Sequence, residues 1–194
     1  MPAMPEIREA ASVDGALALH WLMPLHYFYE RRNLDLPPLD FVDGEDMPEI
    51  DRELLVHERD MTPTLEHYHG SELRLEVLDK EQSEDYLLRV VILRRRDNLM
   101  PVECGAIAIH LNMFDSPARE LIEEGRIPLG GVLQQQNVPH FGRPRGFFRV
   151  QADEIMAHAL GEDVGTTLYG RCNELSFADG MAFADIVEAL PKLD

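Results

Sequence analysis

Alternating apolar and polar positions predict several strands along the chain. The clearest alternation lies in ELRLEVL, where Leu73, Leu75 and Val77 share one face and charged residues share the other. The final segment MAFADIVEALP follows the turn sequence ADG, and together with the apolar segment before the turn it predicts a β-hairpin. The other segments with the composition of strands are YLLRVVIL, PVECGAIAIHL, GFFRVQA and TTLYGRCNELSF.

Helices are predicted where apolar residues recur at helical spacing, and several of these segments end at glycine. The segment MTPTLEHYHG is predicted to form one short helix, with Thr62 as its N-cap and Gly70 at its end. Residues 116–125 are also predicted to form a helix, which begins at Ser116-Pro117 and ends at Gly125. Residues 31–48 are rich in proline and acidic residues, which indicates an extended segment over the surface. Further helices are predicted within 13–23, within 50–57, in IPLGGVLQQQ and in ADEIMAHALG.

Runs of neighbouring strands with helices inserted between them are typical of the α+β class. We therefore expect a single antiparallel sheet with helices on its faces. A length of 194 residues suits one domain. The prediction is a single domain over residues 1–194, in which residues 1–50 supply an N-terminal helix and the extended segment.

The charge balance excludes two classes of partner. With 18 Lys and Arg residues against 36 Asp and Glu residues, the net charge is −18. Nucleic-acid phosphates and anionic membranes bind basic surfaces, so we expect neither as a partner. A small anionic ligand remains compatible with this charge, because exposed charges act over only about 8 Å at physiological ionic strength.

Cysteine and histidine usage predicts a cytoplasmic protein without a metal. Cys104 and Cys172 form no metal-ligand spacing, and we expect them to be reduced thiols that pack in the core. His67 and His69 lie two positions apart on a predicted helix, so they point to different faces. No segment resembles a signal peptide, and no apolar run approaches the roughly 20 residues that span a bilayer.

Two charged residues interrupt apolar rows of the predicted strands. In YLLRVVIL, Arg89 falls on the same face as three aliphatic residues. In the last strand, Glu188 is flanked on its face by Ile186 and Leu190. Arginine keeps its proton in proteins, so a negative group has to meet Arg89. Either the two charges pair with each other in a buried salt bridge, or they line one cavity and hold a ligand between them.

Three further arginines lie close together in HFGRPRGFFRV. In an acidic protein such residues are usually solvated or paired with surface carboxylates. The alternative is that one of them contacts the second carboxylate of a dianionic ligand. Arg149 is the better candidate because it lies within a predicted strand, and Arg171 in YGRC is a weaker one.

Five short motifs occur in order between positions 61 and 191. They are Met61-Thr62 at the start of a helix, Arg89 in mid-strand, PLG at 128–130, LYGR at 168–171 and the closing VEALP. This order resembles that of the chorismate lyase family, the chorismate–pyruvate lyases. More distantly, it is similar to the effector-binding domains of certain transcription regulators.

The resemblance implies a chorismate lyase-like fold, in which the ligand is enclosed under helical flaps without a metal or an organic cofactor. It places the ring carboxylate of the ligand on Arg89 and on the backbone N–H of Met61. It places the backbone N–H of Leu129 and the carboxyl of Glu188 beside the ring hydroxyl. Glu188 would be the proton-transfer group, so that Arg89 and Glu188 are the catalytic candidates.

The function implied by the resemblance is elimination of pyruvate from chorismate to give a hydroxybenzoate, a carbon–oxygen lyase reaction. The first alternative is a non-catalytic domain of the same fold that binds an aromatic carboxylate. The second is a protein in which Arg89 and Glu188 pair with each other and serve structure alone. The expected partner is a small anionic aromatic or cyclohexadiene carboxylate, and the chain is expected to be a monomer or a homodimer.

Overall fold

The computed structural model describes residues 19–193, and the seven strands within this range form one antiparallel sheet. The strands are β1 (Leu39–Val42), β2 (Leu73–Gln82), β3 (Tyr86–Arg95), β4 (Pro101–His110), β5 (His140–Gln151), β6 (Thr167–Phe177) and β7 (Ala182–Ala189). Their order across the sheet is β1-β5-β6-β7-β4-β3-β2. The predicted single antiparallel sheet of an α+β fold is confirmed.

Six helices accompany these strands in the described range. They are α1 (Met23–Glu30), α2 (Glu49–Leu55), α3 (Met61–His69), α4 (Ser116–Glu124), α5 (Leu129–Gln135) and α6 (Glu154–Leu160). Of the first predicted helix, positions 13–18 lie outside the described residues. Between residues 19 and 193, every helix is too short or too polar to cross a lipid bilayer.

One detail of the local predictions is wrong, and two others are refined. Thr62 lies inside α3, whose N-cap is Asp60. The strand predicted as GFFRVQA begins earlier, at His140, because the preceding residues pair with β6 across a bulge. The extended segment 31–48 contains β1, which pairs with β5 at the edge of the sheet.

Helix α4 shows how capping sets the position of a helix above the sheet. The side chain of Asp115 accepts a hydrogen bond from the Ala118 N–H at 3.2 Å, and the helix ends at Gly125 with φ of 64°. This arrangement holds the last turn of α4 over β3. There the carbonyl of Ile122 accepts a hydrogen bond from Nη1 of Arg89 at 3.4 Å.

Helices cover both faces of the sheet. Helices α1 and α6 pack on one face around a continuous apolar cluster, which includes the buried free thiols of Cys104 and Cys172. On the other face the apolar residues divide into two clusters. Helices α2 and α3 contribute to one of them, and α4 and α5 contribute to the other. Residues from both clusters line a cavity between them.

Gly170 of β6 occupies a position where a larger residue would not fit. A Cβ atom at this position would overlap the carbonyl oxygen of Glu188 on the paired strand and the buried ring of Phe148. We expect Gly170→Ala to lower the free energy of unfolding by about 3 kcal/mol or more, measured by denaturant titration. Gly131→Ala in α5 is the control, because a Cβ atom there would meet nothing within 4 Å. Equal stability of the two variants would contradict this packing.

Candidate functional site

Cross-strand pairing aligns the four central strands into rows of facing residues. The first row consists of Arg89 on β3, Ile107 on β4, Ile186 on β7 and Asn173 on β6. The next row, two residues along each strand, consists of Val91, Gly105, Glu188 and Arg171. Residues that face each other across antiparallel strands point to the same side of the sheet. Arg89 and Glu188 therefore share one face.

A cavity of about 70 Å³ lies over these two rows. The rows form its floor, and the first residues of α3 and α5, Met61 and Leu129 among them, form its cover. Gly105 leaves space in the middle of the floor because it has no side chain. A Cβ atom there would come within 3.1 Å of Oε1 of Glu103, whose side chain lies above this glycine.

Arg171 is fully buried, and all of its nitrogens are in use within the protein. Its Nε donates to Oε2 of Glu188 at 2.6 Å. Its Nη1 and Nη2 donate to the backbone carbonyls of Leu55, His57 and Arg59 at 3.3, 2.9 and 3.4 Å. Burial and the two neighbouring guanidinium groups lower the pKa of His57 to about 4, so its ring is neutral at pH 7. The ion pair thus ties β6 and β7 to the segment between α2 and α3.

Arg89 is equally buried, at 2% exposure, but lacks a comparable set of partners. Apart from the long bond of Nη1 to Ile122, no hydrogen bond satisfies this guanidinium within residues 19–193, and its Nε is buried without a partner. No carboxylate in that range forms an ion pair with Arg89. Glu188, the partner considered from the sequence, pairs with Arg171 instead. Burial lowers the pKa of Arg89 to about 10, so the group stays charged at neutral pH.

Glu103 is a second buried group without a partner at this cavity. It is 4% exposed, and its Oε2 has no hydrogen-bond partner in the described part of the chain. Burial raises its pKa well above the usual range, the charge of Glu188 raises it further, and Arg171 acts in the opposite direction. Because Arg171 is already bound to Glu188, we expect Glu103 to hold its proton at neutral pH.

Asp60 closes one side of the cavity and joins α3 to β5. Its carboxylate contacts Nε2 of His140 at 3.0 Å, and this hydrogen bond raises the pKa of His140 despite its partial burial. The same carboxylate lies 3.6 Å from the position that a Cβ atom of Gly130 would take. Within residues 19–193, no three His, Cys, Asp or Glu side chains are grouped so that they could hold a metal ion.

Four of the five site residues predicted from the sequence line the cavity, namely Arg89, Met61, Leu129 and Glu188. Their roles in binding or catalysis remain predictions. The fifth, Arg149, is not among the lining residues. It faces Tyr169, two residues beyond Arg171 along β6, and its Nε donates to Asp40 at 3.1 Å in an exposed ion pair. Arg149 therefore lies on the expected face of the sheet but away from the cavity.

The salt bridge between Arg89 and Glu188, considered from the sequence, is wrong, because the partner of Glu188 is Arg171. Sequence reasoning also missed Glu103 and Asn173, both buried at this cavity. Glu103 carried a usable signal, since it alternates with apolar positions in PVECGAIAIHL as Arg89 does in its own strand. Asn173 carried none, because an amide side chain in a strand is common on either face.

The buried ion pair between Arg171 and Glu188 should contribute to the stability of the protein. Arg171→Met would leave Glu188 buried without a counter-charge and three carbonyls without a donor. We expect the free energy of unfolding to fall by about 3–5 kcal/mol in denaturant titrations. Arg149→Met is the matched control, and removal of its exposed pair with Asp40 should cost less than about 1 kcal/mol. Similar small losses in both variants would show that Arg171 does not hold the cavity together.

The comparisons with known proteins concern the fold. No protein-family model and no curated protein matches the sequence. Among solved structures, PhnF from Mycobacterium smegmatis matches with a TM-score of 0.52 and 11% identity, over 70% of this chain and 64% of that chain. The effector domain of the same protein matches with a TM-score of 0.52 and 11% identity, over 68% and 87%. A GntR-family transcriptional regulator from Enterococcus faecalis matches with a TM-score of 0.44 and 14% identity, over 62% and 99%.

The match thus spans less than two thirds of the PhnF chain. At 11% identity the likeness concerns the fold alone. It agrees with the seven-stranded antiparallel sheet and its helices on both faces. The chain has the chorismate lyase-like fold, which the effector domain of PhnF shares.

Proposed function

We propose that this chain binds a small organic carboxylate and that Arg89 is the residue that takes the carboxylate group. One observation carries the proposal. Arg89 is a charged guanidinium in the wall of a cavity, 2% exposed, and within residues 19–193 no carboxylate pairs with it.

A buried charge without a partner is unfavourable by several kcal/mol, even after the protein relaxes around it. Arginine does not escape this cost by losing its proton. A ligand carboxylate would remove it, because its two oxygens match the two N–H groups of a guanidinium in parallel hydrogen bonds. The Nε of Arg89, which is buried without a partner, is one of the donors available for such a pair.

The start of α3 supplies a second feature that suits an anion. The helix begins at Met61 beside the cavity, and the side chain of its N-cap, Asp60, makes no capping hydrogen bond. The first N–H groups of a helix lack partners inside the helix, and they favour negative charge. We assign the N–H of Met61 to the carboxylate held by Arg89, and the N–H of Leu129 to the far side of the ligand.

The middle of the cavity suits an apolar ring. Between the charged groups, its floor carries Val91, Ile107 and Ile186. Its volume of about 70 Å³ is small for a ring. An engineered cavity of about 150 Å³ in another protein accommodates benzene. A benzoate-sized ligand therefore requires α3 or α5 to move outward on binding.

The fold comparison agrees with a binding role. One of the matching structures is named as the effector domain of PhnF, and this domain matches over 68% of the present chain. At 11% identity this agreement gives no information on the ligand. The chemistry of the ligand is inferred here from Arg89 and its surroundings.

Elimination of pyruvate from chorismate is the second candidate function. It is favoured by the position of Glu188 on the same cavity as Arg89, since the reaction needs a carboxylate clamp and a proton-transfer group. Its support is weaker than that for binding, because the carboxylate of Glu188 is bound to Arg171 at 2.6 Å. Glu188 would have to give up part of this ion pair to move a proton.

Ligand-induced stabilisation tests the binding proposal. With benzoate or a hydroxybenzoate at about 100 times its Kd, the melting temperature of the wild type should rise by about 5–10 °C. Arg89→Met should abolish this rise. Without ligand, the same variant should be at least as stable as the wild type, because an unpartnered buried charge is removed.

Arg149→Met is the control for loss of an arginine outside the cavity, and it should keep the ligand-induced rise. An undiminished rise in Arg89→Met would refute the assignment of the carboxylate to this residue. A marked loss of stability in ligand-free Arg89→Met would show that the guanidinium has a structural role instead.

Incubation with chorismate, followed by chromatography, tests the second candidate. Elimination predicts equal amounts of pyruvate and a hydroxybenzoate. It also predicts that Glu188→Gln, which keeps an acceptor for Arg171, lowers turnover more than affinity. Recovery of all the chorismate at high protein concentration would exclude the lyase activity and leave the binding proposal in place.

A further inference from the structure

Glu103 lies at the cavity without a role in holding the carboxylate. It faces Leu93 across β4 and β3, and it lines the same cavity as Arg89. Its Oε1 lies 3.1 Å from the point that a Cβ atom of Gly105 would occupy, so the side chain extends along β4 above the floor. Its Oε2 is buried without a hydrogen-bond partner.

The charges around Glu103 do not compensate a negative charge at this position. Glu188 approaches from β7 with a charge of the same sign, and Arg171 approaches from β6. Four of the five N–H groups of Arg171 are already directed at Glu188 and at three backbone carbonyls. The remaining charged residues of the cavity are Arg89 and Asp60, and Asp60 is bound to His140.

A carboxyl group in this setting is more stable as the neutral acid. Burial and a like charge disfavour the ionised form, and both raise the pKa of Glu103. A neutral carboxylic acid differs from a carboxylate in having one O–H donor. The neutral acid would supply an O–H donor to the cavity, where Oε2 of Glu103 has no hydrogen-bond partner within residues 19–193.

The register of the sheet places the backbone of Glu103 away from that of Arg89. Arg89 faces Ile107, and Glu103 precedes Ile107 by four residues on β4. Four residues of a strand correspond to about 13 Å between the backbones. The rows of Arg89 and Glu103 are thus separated by the row of Gly105, and a ligand between the two side chains requires the outward movement of α3 or α5 that the small cavity implies.

We propose that Glu103 is a neutral carboxylic acid that donates a hydrogen bond to an oxygen atom at the far end of the ligand. The site would thereby select carboxylates that carry a hydroxyl or carbonyl oxygen opposite the carboxylate. A second carboxylate at that end would be disfavoured by the charge of Glu188. This inference rests on the proposed function and specifies its ligand class.

Calorimetric titration with matched probes tests the selection. The probes are benzoate, 3-hydroxybenzoate and 4-hydroxybenzoate. The wild type should bind the better hydroxybenzoate about tenfold more tightly than benzoate, as one added hydrogen bond implies. Glu103→Gln should keep this preference because its amide donates, and Glu103→Leu should lose it while still binding benzoate.

The pH dependence of unfolding tests the neutral acid without any ligand. Below about pH 4.5, both the folded and the unfolded state hold the proton of Glu103. Above this pH the unfolded state releases the proton and the folded state keeps it, so the wild type loses stability as pH rises. Relative to Glu103→Gln, its unfolding equilibrium constant should increase by up to tenfold per pH unit.

The outcomes separate this inference from the proposed function. If the wild type binds all three probes equally, the proposed function stands and the role of Glu103 is refuted. If none of the probes binds, the proposed function fails, and the pH dependence alone decides whether Glu103 is neutral. A stability difference between the wild type and Glu103→Gln that does not vary with pH would overturn the neutral acid.

Discussion

The ion pair between Arg171 and Glu188 is the interaction on which the cavity depends. It joins two central strands, and the remaining N–H groups of Arg171 bind carbonyls of the segment that leads into α3. The floor and the cover of the cavity are thereby fixed to each other. Four of the five N–H groups of Arg171 are directed at these acceptors, so few of its donors remain for a ligand. Arg89, on the same face, is also buried and charged, but its donors are largely free.

Buried polar groups in folded proteins are nearly always hydrogen-bonded. Six buried side-chain atoms in the described range depart from this rule, and three of them belong to Arg89, Glu103 and Asn173. All three border the same cavity, around an apolar middle. Unmatched polar groups arranged in this way are typical of a ligand pocket, where a small molecule completes the hydrogen bonds. Proteins retain such unfavourable groups where function requires them.

Alternation within each strand was enough to predict most of the sheet, and to identify Arg89 and Glu188 as charges on apolar faces. The predicted hairpin makes the last two strands neighbours, but alternation does not fix their register, which shifts between Leu175 and Ser176, so it could not show that Arg171 is the partner of Glu188. Arg149 lies on the same face of the sheet as Arg171, but on a strand next to the edge. Alternation predicts the face of a residue and gives no information on its distance from the cavity, so the prediction that Arg149 contacts the ligand could not take this distance into account. The glycine at the end of a helix was enough to predict where α3 ends. Its N-cap, Asp60, was identified only from the structure.

The most direct test of the account is the position of 4-hydroxybenzoate in a crystal structure of its complex with this protein. The two carboxylate oxygens should lie within about 3 Å of nitrogens of Arg89. The ring should lie on the apolar floor, and α3 or α5 should be displaced outward. A ligand bound away from this cavity, or Arg89 paired with a carboxylate of the protein itself, would contradict the central claim.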